Sequence, residues 1–226
     1  MASGSPPRPP SSDDATAPGL RAEDLRPQLP LFPLATVLFP QGLLPLRVFE
    51  ARYVDLVATC LRRGEPFGVV TLSQGGEVRR AGEAVRFEPA GCLATILDCD
   101  SDQTGILQVR CTGQRRFSLI GAPREGGDGL WRADVQLLPE EAPRPLDPEL
   151  QACADALGRA IQALAQRDQH PFLAPHRLDE AGWVANRWCE ILPIPLSTRH
   201  KLMMLPDPVT RLRLVDGVLR RHALLD

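Results

Sequence analysis

Lysine is almost missing from this sequence of 226 residues, in which Lys201 stands alone among 26 basic side chains. A nucleotide-binding P-loop needs the pattern G-x-x-x-x-G-K-[ST], because the lysine ammonium must reach the β- and γ-phosphates. Lys201 follows Ser-Thr-Arg-His, so the sequence contains no such loop. Any chemistry that uses a catalytic lysine would depend on this one residue.

Closely spaced metal ligands are also missing. The six cysteines are scattered, with no C-x-x-C pair and no Cys/His group at zinc-ligand spacing. Most cysteines lie in apolar runs, so we expect reduced thiols in the core, with a disulfide-rich secreted protein as the alternative. Pro171 and Pro175 keep His170 and His176 off a common helix face. We therefore predict neither a metal ion nor a cofactor.

Charge is absent between Leu29 and Leu46, a run long enough to suggest a membrane span. Four prolines and one glycine would break such a helix: Pro30, Pro33, Pro40, Pro45 and Gly42. The run fits two extended segments, 31–37 and 43–48, joined by a bend at 39–42. We predict a buried β-hairpin whose prolines lie at strand starts or edges, and no membrane association.

The net charge of −2 and the isoelectric point of about 6.1 provide no basic field for nucleic acid or anionic lipid. Residues 1–28 are rich in proline, serine, alanine and aspartate, and they lack the apolar region of a signal peptide. We expect this tail to be disordered, because it cannot bury enough apolar surface. The expected compartment is the cytoplasm.

Residues 29–140 are rich in strand and turn signals. After the first two runs, the spacing of Tyr53, Leu56 and Cys60 predicts a helix over 50–63. Further strands are predicted at 67–72, on both sides of a turn at 101–104, after Gly113, and at 131–137, where apolar and polar residues alternate. Six or more short strands with one helix predict a barrel-like β domain.

The second half is helical, after a proline-rich linker over 141–149. Asp147-Pro148 and Asp207-Pro208 are typical helix starts, and two further helices are predicted around 179–192 and 197–205. In the last helix we expect Val209, Leu212, Val215 and Leu219 to face inward, and Arg211, Arg213, Arg220 and Arg221 to face outward. A β domain followed by a helical subdomain at 150–226 predicts the α+β class.

Two segments carry a family resemblance: LPLFPLATVLFPQGLLPLRVFEARY at 29–53 and GCLATILDCDSDQTGILQVRCTGQRRF at 91–117. They resemble the amino-terminal, substrate-binding domain of Lon-type ATP-dependent proteases, in its stand-alone bacterial form. The matching motifs are F-P-L, L-F-P, L-P-L, F-E-x-R-Y and, later, G-x-x-R-F. Gln41 departs from the pattern, in which glycine is usual, although Gly42 follows and could supply the bend. The resemblance covers 29–221.

The resemblance implies a six-stranded pseudo-barrel of the PUA-like superfamily and a helical bundle. It also implies a non-catalytic module that binds unfolded or client polypeptides, with Lon-type protease components as further partners, since the P-loop and the Ser–Lys protease domain are absent. An RNA-binding PUA-like module is one alternative, although the acidic isoelectric point makes a nucleic-acid partner unfavourable. An uncharacterised small-molecule hydrolase is another.

The resemblance suggests five polypeptide-binding candidates: Phe39, Glu50, Arg52, Tyr53 and Arg116. Packing is the competing interpretation, and we favour it for Glu50 and Arg52, which could form an internal ion pair at a helix start. Arg115 and Arg116 could bind carboxylates, but solvated side chains with a strand-end hydrogen bond are the simpler expectation. Addition of an extended peptide to a sheet edge is the binding mode that we expect.

Overall fold

The fold is an α+β arrangement, as the sequence predicts. The computed structural model describes residues 21–77, 85–103, 105–222 and 224. In this part of the chain, the elements in order are β1 (Leu25–Leu34), β2 (Leu43–Val48), α1 (Ala51–Arg63), β3 (Phe67–Gln74), β4 (Arg86–Gln103), β5 (Ile106–Glu125), β6 (Trp131–Leu137), α2 (Gln151–Ala165), α3 (Ala181–Ile191), α4 (Leu196–Met204) and α5 (Pro208–Arg221).

The strands form one sheet in the order β2-β5-β4-β3-β1-β6, which an additional β5–β6 pairing closes into a barrel. β5 pairs with β2 over 107–112 and with β6 over 117–125, so its two halves have different neighbours. β1 and β3 are parallel, and the other neighbours are antiparallel. The predicted six-stranded pseudo-barrel is confirmed, but β4 and β5 are long strands rather than several short ones.

The predicted hairpin between the first two runs is wrong, because β1 and β2 do not pair. β1 lies between β3 and β6, whereas β2 pairs with β5. The connection over 35–42 is the physical reason, since it is longer than the two to five residues typical of a hairpin loop. The end of this connection is hydrogen-bonded to Gly113. The Gly113 N–H donates to Gly42 O at 3.0 Å, and the Gly113 carbonyl accepts from Gln41 N at 2.8 Å.

β1 starts earlier than the sequence predicts. It begins at Leu25, inside the tail that we expected to be disordered; residues 1–20 of that tail lie outside the described residues. Pairing with β6 covers 25–31 and pairing with β3 covers 31–34. Pro30 and Pro33 therefore lie where β1 has a single neighbour, which is how a strand inside the sheet tolerates their missing N–H groups.

The bend after β1 depends on two adjacent residues in different ways. Gln41 itself has the left-handed backbone, with φ of 60°. Gly42 is needed for space, because a Cβ atom there would lie 2.3 Å from Glu190 Oε1 and 2.9 Å from Phe39 O. The expectation that Gly42 supplies the bend is therefore wrong.

The helix signals in the sequence are mostly confirmed. α1 follows Glu50 and ends at Arg63, before Gly64, whose φ is 65°. Asp207 caps α5 by accepting a hydrogen bond from Thr210 N at 2.8 Å, and Asp147 accepts one from Glu149 N at 3.1 Å in the turn before α2. The bundle core also includes Val37 and Phe39 from the connection between β1 and β2, so this connection joins barrel and bundle.

The outward position predicted for Arg211 is wrong. Its side chain is 1% exposed and donates to Leu202 O at 2.9 Å and Asn186 Oδ1 at 2.9 Å. It also binds the carboxylate of Glu141, with 2.7 Å between Nη2 and Oε2. A buried arginine is stable here because carbonyl and carboxylate oxygens replace the lost water. Helical periodicity could not predict this, since Glu141 lies in the linker.

The left-handed conformation of Gln41 predicts a stabilising substitution. We expect Gln41→Gly to raise the free energy of unfolding by about 0.5 kcal/mol, because the relieved backbone cost exceeds the added entropy of the unfolded chain. Urea unfolding followed by circular dichroism would measure it. Gln41→Ala is the matched control, because alanine retains the energetic cost of the left-handed backbone. Equal stability of the glycine and alanine variants would contradict the left-handed conformation at residue 41.

Candidate functional site

The five candidate residues lie in two separate places. Phe39 and Arg116 lie at the junction between barrel and bundle, whereas Glu50, Arg52 and Tyr53 lie together at the start of α1, beside β2. Sequence proximity explains the second group, since its members are within one helical turn. The two groups differ in their burial and in the contacts that their side chains already make.

The two side chains at the junction, Phe39 and Arg116, are both buried against other parts of the chain. Phe39 is fully buried in the bundle core. Arg116 is 6% exposed and donates to Met203 O at 2.7 Å and to Leu205 O at 3.0 Å, at the end of α4. The interpretation of Arg116 as a solvated side chain is therefore wrong. Arg115 is partly exposed and binds Asp24 at 2.8 Å.

A second buried arginine, which the sequence analysis missed, joins the halves at the bend. Arg187 in α3 has no exposed surface and donates to the carbonyls of Pro40 and Gln41, and to Glu190 Oε1 at 2.9 Å. Burial raises the pKa of Glu190 to about 7, against the opposing effect of Arg187. The available signal was an arginine inside a helix of mostly apolar residues.

The start of α1 contains the internal ion pair that we expected. Arg52 donates to Glu50 Oε2 at 2.8 Å and to Gly129 O at 2.8 Å, and its guanidinium lies 4.6 Å from the centre of the Tyr53 ring. The Tyr53 ring stacks on Phe32 with 4.1 Å between centroids. Burial raises the pKa of Tyr53 to about 12. These contacts fix the position of α1 against β1.

A mainly apolar pocket of about 310 Å³, whose lining also includes the charged Arg47 and Glu50, opens between the end of β1 and the side of β2 that points away from β5. Glu77 lies at the pocket, where its Oε1 accepts a hydrogen bond from Ala35 N at 2.6 Å. The apolar part of the lining comes from β1, β2 and α1, and consists of Phe32, Leu34, Leu44, Leu46, Val48 and Tyr53.

The alternation of β2 explains how the pocket is built. Leu44, Leu46 and Val48 are buried, whereas Pro45 and Arg47 are exposed, as expected for a strand with one packed face. Phe49 follows the strand, also lines the pocket and is 54% exposed. It is the one aromatic among the large exposed apolar side chains of the described residues. Phe49 therefore offers exposed apolar surface beside the pocket.

Two other hollows are less suited to an apolar partner. A cleft of about 230 Å³ at the junction is lined by charged groups that pair internally, such as Arg116 with Glu141 and Arg177 with Glu180. A hollow of about 580 Å³ between α1 and β1 has balanced charges. The described residues contain no group of three potential metal ligands, and no helix among them is long and apolar enough to cross a membrane.

The cysteines show no arrangement for nucleophilic catalysis in the part of the chain that the structure describes. All six are free thiols, and five are buried. Cys153 donates to Asp216 and Cys92 to backbone carbonyls, rather than to histidines. Burial raises the pKa of the Cys92 and Cys111 thiols to about 12, so the reactive thiolate is disfavoured.

The barrel, the bundle and the bend that joins them define the class of domain. A family model, the ATP-dependent protease La (LON) substrate-binding domain, matches residues 28–221, and the chain belongs to this family. The similarity includes a Lon protease from Paraburkholderia phytofirmans, 28% identical over 198 residues. That match covers 84% of this chain but 24% of the relative, so the chain spans about a quarter of that protein's length.

Two solved structures share the fold. The Lon N-terminal domain protein from Xanthomonas campestris is 33% identical, with a TM-score of 0.65 over 84% of this chain and 97% of that one. The N-terminal domain of a Mycobacterium avium complex Lon protease has a TM-score of 0.57 over 86% and 99%, at 17% identity. At 17% identity, the second likeness concerns the fold alone.

The buried Glu190 predicts a pH-dependent stability. Its folded pKa of about 7 lies above the ordinary value of 4.5, so between these values the native state holds a proton that the unfolded state has released. The stabilisation is complete below pH 4.5 and is lost as pH rises through 7. We expect Glu190→Gln to flatten the decline between pH 4.5 and 7 in urea unfolding. Identical pH profiles of variant and parent would contradict this.

Proposed function

We propose that this chain is a non-catalytic module that binds unfolded or extended segments of other polypeptides. The observation that carries the proposal is the apolar pocket between β1 and β2, with exposed Phe49 at its side. The pocket accepts an apolar side chain, and unfolded chains differ from folded ones in exposing such side chains. Membership of the Lon substrate-binding family supports the same role.

The size of the pocket indicates the strength of binding. Burial of one large apolar side chain contributes about 2 kcal/mol, and association costs several kcal/mol in lost freedom. Two or three apolar side chains from one segment would contribute about 4 to 6 kcal/mol in total, and only the part that exceeds the cost of association appears as affinity, so the apolar contacts give weak binding. Weak binding of this kind suits a module that samples exposed segments and releases them.

We further propose that the bound segments are clients of a Lon-type protease, in protein quality control. The similarity to a Lon protease supports this partner. In this proposal the chain supplies recognition, and cleavage belongs to the protease. The described residues show no metal group and no cysteine–histidine contact, and the proposal needs neither.

A single exposed side chain provides the test. We expect Phe49→Ser to weaken binding of a fluorescently labelled, reduced and carboxymethylated model protein roughly fivefold, because about 1 kcal/mol of apolar contact is lost. Fluorescence anisotropy would measure the dissociation constant. Phe49 is 54% exposed, so folding should survive.

Leu214 provides the matched control, since it is 51% exposed and lies on α5, away from the pocket. We expect Leu214→Ser to bind like the parent chain. An equal loss in both variants would indicate non-specific apolar binding, and the absence of any saturable binding by the parent chain would contradict the proposed function.

A further inference from the structure

We propose that the bound polypeptide segment adds to the sheet as a seventh strand, paired with the free edge of β2. This inference rests on the proposed function and specifies how the segment is held. The pocket alone would accept any apolar group, whereas a strand edge accepts one kind of partner, an extended backbone. The backbone groups of β2 that point away from β5 determine what this edge can bind.

The hydrogen-bond alternation of β2 follows from its first pairing. Gly113 N–H donates to Gly42 O at 3.0 Å, so the backbone of Gly42 points toward β5. In an antiparallel pair, hydrogen-bonded and non-hydrogen-bonded positions alternate along the strand. With the register Leu43↔Thr112 to Val48↔Leu107, the residues that bond β5 are Leu44, Leu46 and Val48. The backbone groups of Leu43, Pro45 and Arg47 consequently face the free edge.

Pro45 agrees with this assignment. Proline has no N–H, and the alternation puts it at a position whose N–H would face away from β5, so the ladder loses no bond. The free edge therefore offers two N–H donors, from Leu43 and Arg47, and three carbonyl acceptors, from these residues and Pro45. Among the described residues, β5 is the strand with which β2 pairs.

The pocket lies where the side chains of an added strand would enter it. Side chains opposite Leu44 and Leu46 would share the buried face of β2 and point toward Phe32 and Leu34. Their neighbours would lie on the exposed face with Arg47. Because six residues of strand span about 20 Å, the edge accommodates a segment of roughly six residues. The occupant is thus an extended segment with apolar residues at alternate positions.

A second copy of this chain is the other conceivable occupant, and β2 is poorly suited to it. Proline and charged side chains on an edge strand are devices that oppose sheet-to-sheet association. Pro45 and Arg47 are both exposed on β2. The edge of β2 is therefore short and lacks a hydrogen-bond donor at Pro45. A single client segment can still form hydrogen bonds at both ends of this edge, with Leu43 and Arg47.

Pro45→Ala is the first test, because it adds a donor to the free edge. The probe is a fluorescein-labelled octapeptide of alternating valine and threonine. We expect Pro45→Ala to bind it about fivefold more tightly, the factor that corresponds to ~1 kcal/mol for one additional hydrogen bond. A probe of the same sequence, N-methylated at the alternate residues whose backbone would face β2, should gain nothing, because the methyl groups block pairing with the edge. Fluorescence anisotropy measures both dissociation constants.

The second test removes a donor. Arg47→Pro lacks the outward N–H, whereas Arg47→Ala keeps it and removes the same charged side chain. We expect Arg47→Pro to bind the octapeptide about fivefold more weakly than Arg47→Ala. Thermal unfolding of both variants checks that the barrel remains folded, and Pro45→Ala keeps the inference testable if Arg47→Pro does not fold.

The outcomes separate this inference from the proposed function. Unchanged affinities in the Pro45 and Arg47 variants, with a loss in Phe49→Ser, would overturn strand addition and leave pocket binding intact. Absence of any peptide binding by the parent chain would overturn the proposed function itself. A dimer in sedimentation equilibrium that the octapeptide does not dissociate would overturn the inference in favour of self-pairing.

Discussion

The close contact between Gly113 and the bend at residues 39–42 is the constraint on which the rest of this structure depends. A Cβ atom at Gly113 would lie 2.0 Å from Phe39 O, so a residue with a side chain cannot lie there without moving the backbone. β5 pairs with β2 before this point and with β6 after it. One strand can therefore close the barrel and still pair with β2, and the other edge of β2 pairs with no strand in the part of the chain that the structure describes.

Buried arginines hold the helical bundle against this barrel. Arg116 of β5 and Arg187 of α3 donate to backbone carbonyls on the other side of the junction, whereas Arg211 of α5 donates to Leu202 O within the bundle and binds Glu141 of the linker. His200 adds a contact of 3.2 Å between its Nε2 and Ala90 O. Removing a buried charge from water is costly, but carbonyl and carboxylate oxygens offset the cost when the geometry is good. The junction is therefore a rigid support, and the pocket lies outside it.

The parts of this structure that the sequence predicts are the local ones. The α+β class, the bounds of α1 and the cap at Asp207 depend on residues within a few positions of each other. The pairing of β1 and β2 and the orientation of Arg211 depend on partners that are distant in the sequence, such as Thr112 for Leu43 and Glu141 for Arg211. Periodicity contains no information about such partners, so these predictions failed.

The candidate site likewise has a local part that the sequence predicts and a part that depends on distant strands. Glu50, Arg52 and Tyr53 were found together because they share one helical turn, and Phe32 then joins them by stacking on Tyr53. Phe49 and the free edge of β2 were missed, because their exposure depends on which strand β2 pairs with.

The most direct test of the account is amide hydrogen exchange by NMR in the free protein. If β2 pairs with β5 through alternate residues, exchange is fast for the amide protons of Leu43 and Arg47 and slow for those of Leu44 and Leu46. Uniformly slow exchange along β2 would contradict this pairing.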